Sequence, residues 1–227
     1  MLLPRSAPRF HRWLMAMLVA AGVPGHAIAS DANTAATAST EQLRYTVQHS
    51  LFGDIGNYTN DVKRIGGTTI VRTSAHFVVK MLGVILRRED DQRVEHWLDG
   101  RLMSFVGITR KNAETIELRG QAEGNNFLIT SPLGTVIAPA SVQPANPWSV
   151  RCLRSTTMMR VDDGEIEKVR VTGGSAKNLV LDGRVIPTRL YDIEGMTRYR
   201  LWFDQHNIPV MFVVDDSTGK ITFTLMP

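Results

Sequence analysis

Apolar and polar residues alternate from Leu43 onward, which is the pattern of a half-buried β-strand. Leu43, Tyr45 and Val47 share one face, and polar residues occupy the other. Residues 221–225 repeat the alternation, with Ile221 and Phe223 on one face and threonines on the other. Between these two segments, glycine-containing turn sequences divide the chain into short stretches. They are Gly53-Asp54, Gly66-Gly67, Asp99-Gly100, Glu123-Gly124-Asn125, Asp163-Gly164, Gly173-Gly174, Asp182-Gly183, Glu194-Gly195 and Thr218-Gly219.

The Asp-Gly pairs suit two-residue hairpin turns, because both central residues of such turns take positive φ. Hairpin connections join antiparallel strands. We therefore predict an all-β fold, built as a single curved antiparallel sheet of hairpins that forms a half-barrel or open barrel.

One segment departs from the β pattern. Asn146 is a good N-cap and Pro147 suits a first helical position, and no glycine or proline follows for several residues. This predicts one short helix near residues 147–156, packed against the sheet.

The first 29 residues have the three parts of a cleavable signal peptide. Arg5, Arg9 and Arg12 precede an apolar run over residues 13–23, and Ala27-Ile28-Ala29 supplies small residues for cleavage. The run is too short for a membrane-spanning helix, which needs about 20 residues. We expect a periplasmic or secreted protein that is not an integral membrane protein. Residues 30–41 lack large apolar side chains and are predicted to be a flexible tether before a single domain at 42–227.

Composition narrows the range of partners. The whole chain has 26 Lys and Arg against 22 Asp and Glu, and the predicted signal peptide removes three of the basic residues and none of the acidic ones. The remaining charges are almost balanced and interspersed, so we do not expect nucleic-acid binding. Cys152 is the single cysteine of the chain, which excludes an internal disulfide and is typical of a small buried residue.

Known catalytic and cofactor motifs are absent from the sequence, and we predict no cofactor, metal site or catalytic residue. His96 lies between carboxylates but alternates with them along a strand, so contiguous residues cannot converge there. A secreted hydrolase that uses Glu95, Asp99 and Asp204 on envelope glycan remains an alternative, provided that two of these carboxylates face each other across a cleft.

An apolar run over residues 77–86 does not alternate, so both of its faces should meet apolar surroundings. A strand covered on both sides explains this, and so does one wall of a cavity for an acyl chain. On the second interpretation we assign Phe77, Val79 and Val84 to ligand binding.

Three tryptophans are further candidates for ligand contact. Trp97 and Trp202 are each flanked two residues away by charged residues, which predicts that their rings lie on the polar face of the sheet. With Trp148 and Arg101 they could form a stacking platform for a sugar or lipid headgroup. The alternative is a cation–π contact with Arg198 or Arg200 and no ligand.

Several short motifs carry a resemblance to a known family: Trp97-Leu98-Asp99-Gly100-Arg101-Leu102, Pro147-Trp148, Leu201-Trp202-Phe203-Asp204 and Pro209-Val210. Together they resemble an uncharacterised family of exported proteobacterial all-β proteins, catalogued as a domain of unknown function. The resemblance implies a periplasmic, non-lipidated β protein and brings no activity. The organisation is also similar to open half-barrels that carry lipids or lipoproteins.

The resulting functional hypothesis is a non-enzymatic binding or carrier module for an apolar or amphipathic, lipid-like ligand. The ligand would lie between the sheet and the predicted helix. Besides the hydrolase, the other alternative is a structural partner of an envelope assembly, which would show an exposed apolar patch without a cavity.

Overall fold

The computed structural model describes residues 38–227, which form β-strands joined mainly by tight turns. The predicted signal peptide and residues 30–37 of the predicted tether lie outside the described residues. The strands are β1 (Ala38–His49), β2 (Gly53–Ile65), β3 (Thr68–Met81), β4 (Val84–Leu98), β5 (Arg101–Lys111), β6 (Glu114–Glu123), β7 (Asn126–Ser131), β8 (Gly134–Pro139), β9 (Gln143–Pro144), β10 (Thr157–Met159), β11 (Ile166–Lys168), β12 (Arg170–Leu181), β13 (Arg184–Glu194), β14 (Arg198–Asp204), β15 (Pro209–Asp216) and β16 (Gly219–Leu225).

Thirteen of these strands form one antiparallel sheet in the order β12-β13-β14-β15-β16-β1-β2-β3-β4-β5-β6-β7-β8. Strands β1 and β16 pair in the middle of the sheet, with Val47 opposite Phe223. Within residues 38–227 the edge strands β8 and β12 do not pair with each other, so the sheet is open. The prediction of a single antiparallel sheet of hairpins is confirmed.

The sheet is strongly curved. Twelve strand spacings of about 4.8 Å would make a flat sheet about 58 Å wide. Side chains from distant strands nevertheless share one hydrophobic core, among them Tyr45 of β1, Phe105 of β5, Phe127 of β7 and Leu201 of β14. The sheet therefore wraps around its inward face as an open barrel, as predicted.

A connecting segment, residues 140–169, packs on that inward face and is called the plug segment below. It contains a small sheet of β9, β10 and β11, and its buried residues Val142, Trp148 and Met159 belong to the common core. It also contains one 3-10 helix, Val150–Arg154. No helix in residues 38–227 has the length and apolar character needed to span a bilayer.

The helix is shorter than the predicted residues 147–156, and Ser149 caps it rather than Asn146. The Asn146 side chain is instead buried and hydrogen-bonded to the sheet, so it is not available as a cap. The predicted position of the helix is right, whereas its extent and its cap are wrong.

Two further expectations need correction. Strand β1 begins at Ala38, so residues 38–41 of the predicted tether belong to the sheet, where they pair with residues 62–65 of β2. Backbone pairing holds these residues although their side chains bury little apolar surface. Gly173 and Gly174 do not form a turn but a bulge inside β12, where both have positive φ and a Cβ on Gly173 would lie 2.5 Å from the Leu190 carbonyl oxygen.

The predicted Asp-Gly hairpins are present at Asp99-Gly100 and Asp182-Gly183, where all four residues have positive φ. Because neighbouring strands are antiparallel, successive turns of the large sheet alternate between its two ends. One end, called the Leu82 end, carries the turns at residues 50–52, 82–83, 112–113, 132–133, 195–197 and 217–218. The opposite end, called the Asp99 end, carries the turns at residues 66–67, 99–100, 124–125, 182–183 and 205–208.

Candidate functional site

A cavity of about 330 Å³ lies at the Leu82 end of the sheet. Its walls come from the turn at residues 50–52, from β3 and β4, and from β16 with the turn before it. The apolar lining residues are Phe52, Ile55, Phe77, Val79, Leu86, Ile221 and Phe223. With His49 of β1 and Ile55 of β2 also in the lining, the cavity lies against the neighbouring strands β16, β1, β2, β3 and β4 of the large sheet.

Aromatic rings support the inner side of this cavity. Phe77 of β3 packs edge-on against Phe223 of β16, with ring centroids 6.3 Å apart. Behind Phe223 lies Phe212, stacked on it at 4.2 Å, and Tyr58 meets Phe223 edge-on at 5.4 Å. A wall of packed rings keeps its shape when empty, because its side chains are fixed by their neighbours.

Polar side chains also line the cavity. Arg87 Nε donates to a Glu89 carboxylate oxygen at 3.0 Å, and the Arg87 side chain is half exposed. His49 is buried and accepts the Leu51 backbone N–H at Nδ1 at 3.1 Å, which leaves Nε2 to carry the ring hydrogen toward Thr218 Oγ1 at 3.1 Å. An apolar lining that includes a partly exposed ion pair suits a molecule with an apolar body and a polar end.

Glu89 begins a row of charged side chains on the inward face of β4. Glu89, Asp91, Arg93 and Glu95 are all buried. Arg93 donates to Asp91 at 2.7 Å, so these two charges neutralise each other in the interior. In an alternating strand the charged face usually lies in water, but in β4 the charged face lies in the core.

Glu95 ties the plug segment to the sheet. Its side chain is 0% exposed and accepts the indole N–H groups of Trp97 and Trp148, each at 2.9 Å, and the Asn146 amide at 2.8 Å. Asn146 Oδ1 in turn accepts the Tyr58 hydroxyl at 2.7 Å. Burial raises the pKa of Glu95, while the three N–H donors and Arg93 oppose that shift. A carboxyl enclosed by protein donors on both oxygens serves as a structural anchor.

The structure separates the predicted ligand-binding residues. Phe77 and Val79 line the cavity. Val84 is 62% exposed near the tip of the β3–β4 hairpin and does not line it. Trp97 and Trp148 are buried at Glu95, with ring centroids 5.8 Å apart. Trp97 does share the charged face of β4 with Glu95, as its spacing predicts, but that face is the interior, so the ring is not an exposed stacking platform.

Neither Trp202 nor Arg101 lines the cavity. Trp202 is buried on β14 between Leu190 of β13 and Met211 of β15. Arg101 donates to the carbonyl of Gly124 at the Asp99 end.

A cation–π contact is present, but it involves a different arginine from the two that were considered. Arg198 and Arg200 pair with Asp192, at 3.6 and 3.3 Å, rather than being stacked on a tryptophan. The guanidinium carbon of Arg64 lies 5.9 Å from the centroid of Trp148. This contact joins β2 to the plug segment.

The three carboxylates of the hydrolase alternative do not converge. Glu95 lies in the interior, Asp99 in the β4–β5 turn, and Asp204 accepts the backbone N–H groups of His206 and Ile208 in the β14–β15 turn. Over residues 38–227 no three His, Cys, Asp or Glu side chains are placed to hold a metal ion. The geometry gives the hydrolase no support.

Sequence reasoning missed most of the cavity. Phe52, Phe223, Arg87 and Glu89 line it without having been proposed. Phe223 does lie on the apolar face predicted for the last strand, so its inward direction could have been found. Its closeness to β3 could not, because that depends on the pairing of β1 with β16.

Comparison with known proteins agrees with this fold. A crystal structure of a β-barrel-like protein of domain of unknown function DUF1849 from Brucella abortus matches with a TM-score of 0.63 at 11% identity, covering 82% of this chain and 95% of the other. No curated protein gives a significant match. The family model of domain of unknown function DUF6134 matches residues 53–226, which confirms the predicted resemblance to a family without a known function. The chain therefore belongs to the DUF6134 family.

Proposed function

We propose that this domain is a non-enzymatic binding protein that holds an apolar or amphipathic, lipid-like molecule in the cavity at the Leu82 end. The observation that carries the proposal is the cavity of about 330 Å³, lined by aromatic and aliphatic side chains and bordered by the Arg87–Glu89 ion pair. Small-molecule sites of roughly 300–1,000 Å³ with few polar groups are typical of such ligands. This cavity is at the small end of that range.

The lining sets the orientation of the ligand. An apolar chain would pack against Phe77, Val79 and Phe223. A polar or anionic end would lie near the partly exposed Arg87, since an arginine offers several N–H donors to a carboxylate or phosphate. Glu89 already accepts a hydrogen bond from Arg87. An anionic end of the ligand would therefore share Arg87 with Glu89 or displace Glu89 from it.

A carrier role also fits the location that we propose. The signal-peptide pattern of residues 1–29 supports export to the periplasm or beyond, with cleavage near Ala29. Lipid-like molecules need a protein shelter when they cross an aqueous compartment, because their apolar surface is unfavourable in water.

The test compares two valines on the same hairpin, only one of which lines the cavity. Val79→Asp places a charge against the aromatic wall, which should weaken ligand binding at least tenfold, since about 1.4 kcal/mol corresponds to a factor of ten and burying an unpaired charge costs more. Val84→Asp is the matched control, because Val84 is exposed and outside the cavity. Binding is measured by titration with a fluorescent long-chain fatty acid and by native mass spectrometry of protein purified without detergent.

The expected result is saturable binding by the wild type and by Val84→Asp, and loss of binding by Val79→Asp. Circular dichroism confirms that each variant is folded. A wild type that binds no fatty acid and carries no lipid mass overturns the proposal, and so does a folded Val79→Asp variant with unchanged affinity.

The remaining alternative, a structural partner in an envelope assembly, predicted an exposed apolar patch without a cavity. The domain has exposed apolar turns beside a cavity, so the binding function is the better supported of the two.

A further inference from the structure

The turns at the two ends of the sheet differ in chemistry. At the Leu82 end, four separate turns expose a large apolar side chain: Leu51 (69% exposed), Leu82 (97%), Leu133 (85%) and Met196 (64%). At the Asp99 end, no described turn exposes one, and the turns are built mainly of glycine, aspartate and asparagine. Polar turns are the usual choice for a surface in water. The apolar turns mark the Leu82 end as a surface that meets something other than water.

Leu82 provides a second, independent observation. It has a φ of 50°, in the left-handed region, and it occupies the same turn position as Asp99 and Asp182, with φ of 49° each. Asparagine, aspartate and glycine adopt this conformation readily, whereas a bulky side chain is strained there. Leu82 is therefore unfavourable for the turn and for solubility, and it packs on nothing within the domain. A contact outside the domain explains its presence.

The β3–β4 hairpin adds positive charge beside the apolar tip. Met81, Val84 and Ile85 are exposed around Leu82. Lys80 and Arg88 are also exposed, and residues 78–88 include no acidic residue. An apolar tip with basic residues immediately behind it complements a membrane surface, because the tip reaches the acyl region while the basic groups meet anionic headgroups.

We infer that the Leu82 end docks on the surface of an anionic lipid bilayer, with the turns that carry Leu51, Leu82, Leu133 and Met196 inserted shallowly. This inference extends the proposed function, since the cavity lies at the same end and so would be close to the bilayer that supplies or receives the ligand. It rests on the four apolar turns and on the positive charge of the β3–β4 hairpin, and it can be tested apart from the cavity. A lipid surface suits side chains that project singly from separate turns, whereas a protein partner usually meets a contiguous apolar core.

The experiment is flotation with vesicles of phosphatidylcholine, with and without 30% phosphatidylglycerol. The wild type should bind the anionic vesicles, and high salt should weaken that binding because exposed charges are screened. Leu82→Asn should reduce partitioning about tenfold or more, the factor expected when one leucine no longer leaves water. Its thermal stability should be equal to or above that of the wild type, since asparagine tolerates the left-handed conformation of residue 82.

Val185→Asn is the matched control. Val185 is also largely exposed on a hairpin, but it lies beside the turn at residues 182–183 of the Asp99 end. Its vesicle binding should equal that of the wild type. A wild type that does not bind anionic vesicles, or a Leu82→Asn variant that binds them as well as the wild type, overturns the inference.

Two measurements separate the remaining outcomes. Sedimentation equilibrium without vesicles would reveal a self-association that Leu82→Asn abolishes, which would assign the surface to a second copy of the chain and overturn docking to lipid. Fatty-acid titration in solution separates this inference from the proposed function. Leu82→Asn should bind the fatty acid normally, and Val79→Asn, which alters the cavity wall without adding charge to the β3–β4 hairpin, should bind vesicles normally.

Discussion

Trp148→Phe tests whether the Glu95 contact holds the plug segment against the sheet. The substitution keeps an aromatic ring beside Trp97 but removes the indole N–H that donates to Glu95 at 2.9 Å. Both partners are buried, so water cannot replace the lost donor without reaching the interior. Trp97→Phe is the matched control, since it removes an equivalent donor to the same oxygen. The hydrogen bond that it removes joins two residues of β4, Trp97 and Glu95, and does not involve the plug segment.

The magnitude follows from the local contacts. Loss of one buried hydrogen bond of this kind costs about 1–3 kcal/mol. In a domain of roughly 150–250 residues, 1 kcal/mol corresponds to about 2–4 °C, so the melting temperature should fall by about 2–12 °C. The Trp97→Phe variant should lose a similar amount. Only Trp148→Phe should loosen the plug segment, because it alone breaks a bond between that segment and the sheet.

The assay combines thermal unfolding by circular dichroism with limited proteolysis, in which cleavage sites are identified by mass spectrometry. Trp148→Phe should be cut faster within residues 140–169 than the wild type or Trp97→Phe. The reasoning is refuted if Trp148→Phe unfolds within about 0.5 kcal/mol of the wild type, the range of a neutral surface substitution, and its plug segment is no more susceptible.

Two further predictions concern buried titratable groups. Burial raises the pKa of Glu95, so the stability that this group contributes is complete below its ordinary pKa of about 4.5 and is lost as the pH rises through the folded-state pKa. Glu95→Gln removes this titration. The free energy of unfolding in urea of the wild type, minus that of the variant, should therefore decrease from about pH 4 to about pH 8. A constant or rising difference would show that the N–H donors outweigh burial. Burial also raises the pKa of the Cys152 thiol to about 12, so a disulfide reagent at pH 8 should modify the native protein at least about 100-fold more slowly than protein unfolded in guanidinium. Equal rates in the two states would contradict the buried position of Cys152.

The alternation of the sequence was sufficient to predict the sheet. Leu43, Tyr45 and Val47 are buried on one face of β1, as their spacing requires. The Asp-Gly turns at 99–100 and 182–183 follow from local φ preferences, which depend on nothing beyond the turn itself. Features that depend only on neighbouring residues can therefore be predicted without knowing the rest of the fold.

Alternation identifies which residues share a face, but it does not say which face is inside. On β4 the charged face with Glu95 and Trp97 is the interior, and exposed apolar residues such as Leu98 lie on the other. A bulge between His96 and Trp97 further shifts the register. The charges can be buried because Asp91 pairs with Arg93 and because the plug segment supplies Asn146 and Trp148 to Glu95. These are long-range contacts that no local pattern contains.

The cavity, too, could be predicted only in part from the sequence. The apolar run at residues 77–86 correctly directed attention to Phe77 and Val79 as one wall. Its second half, including Val84, lies in the exposed hairpin tip. The opposite wall comes from β16 and from the turns at residues 50–52 and 217–218, which meet β3 only through the strand order of the finished sheet.

The central pairing of β1 with β16 has a consequence for how the protein reaches its native state. Strands β2 to β8 follow β1 as successive hairpins, and β12 to β16 form a second such series, so each can assemble from neighbours along the chain. The two series join through β1 and β16, whose paired residues Tyr45 and Leu225 lie at opposite ends of the domain sequence. Contacts of such long sequence separation form slowly, because the intervening chain must first be ordered. The cavity borders this joint, so it is complete only after synthesis has reached β16, and a ligand would find its site only once β16 has paired with β1.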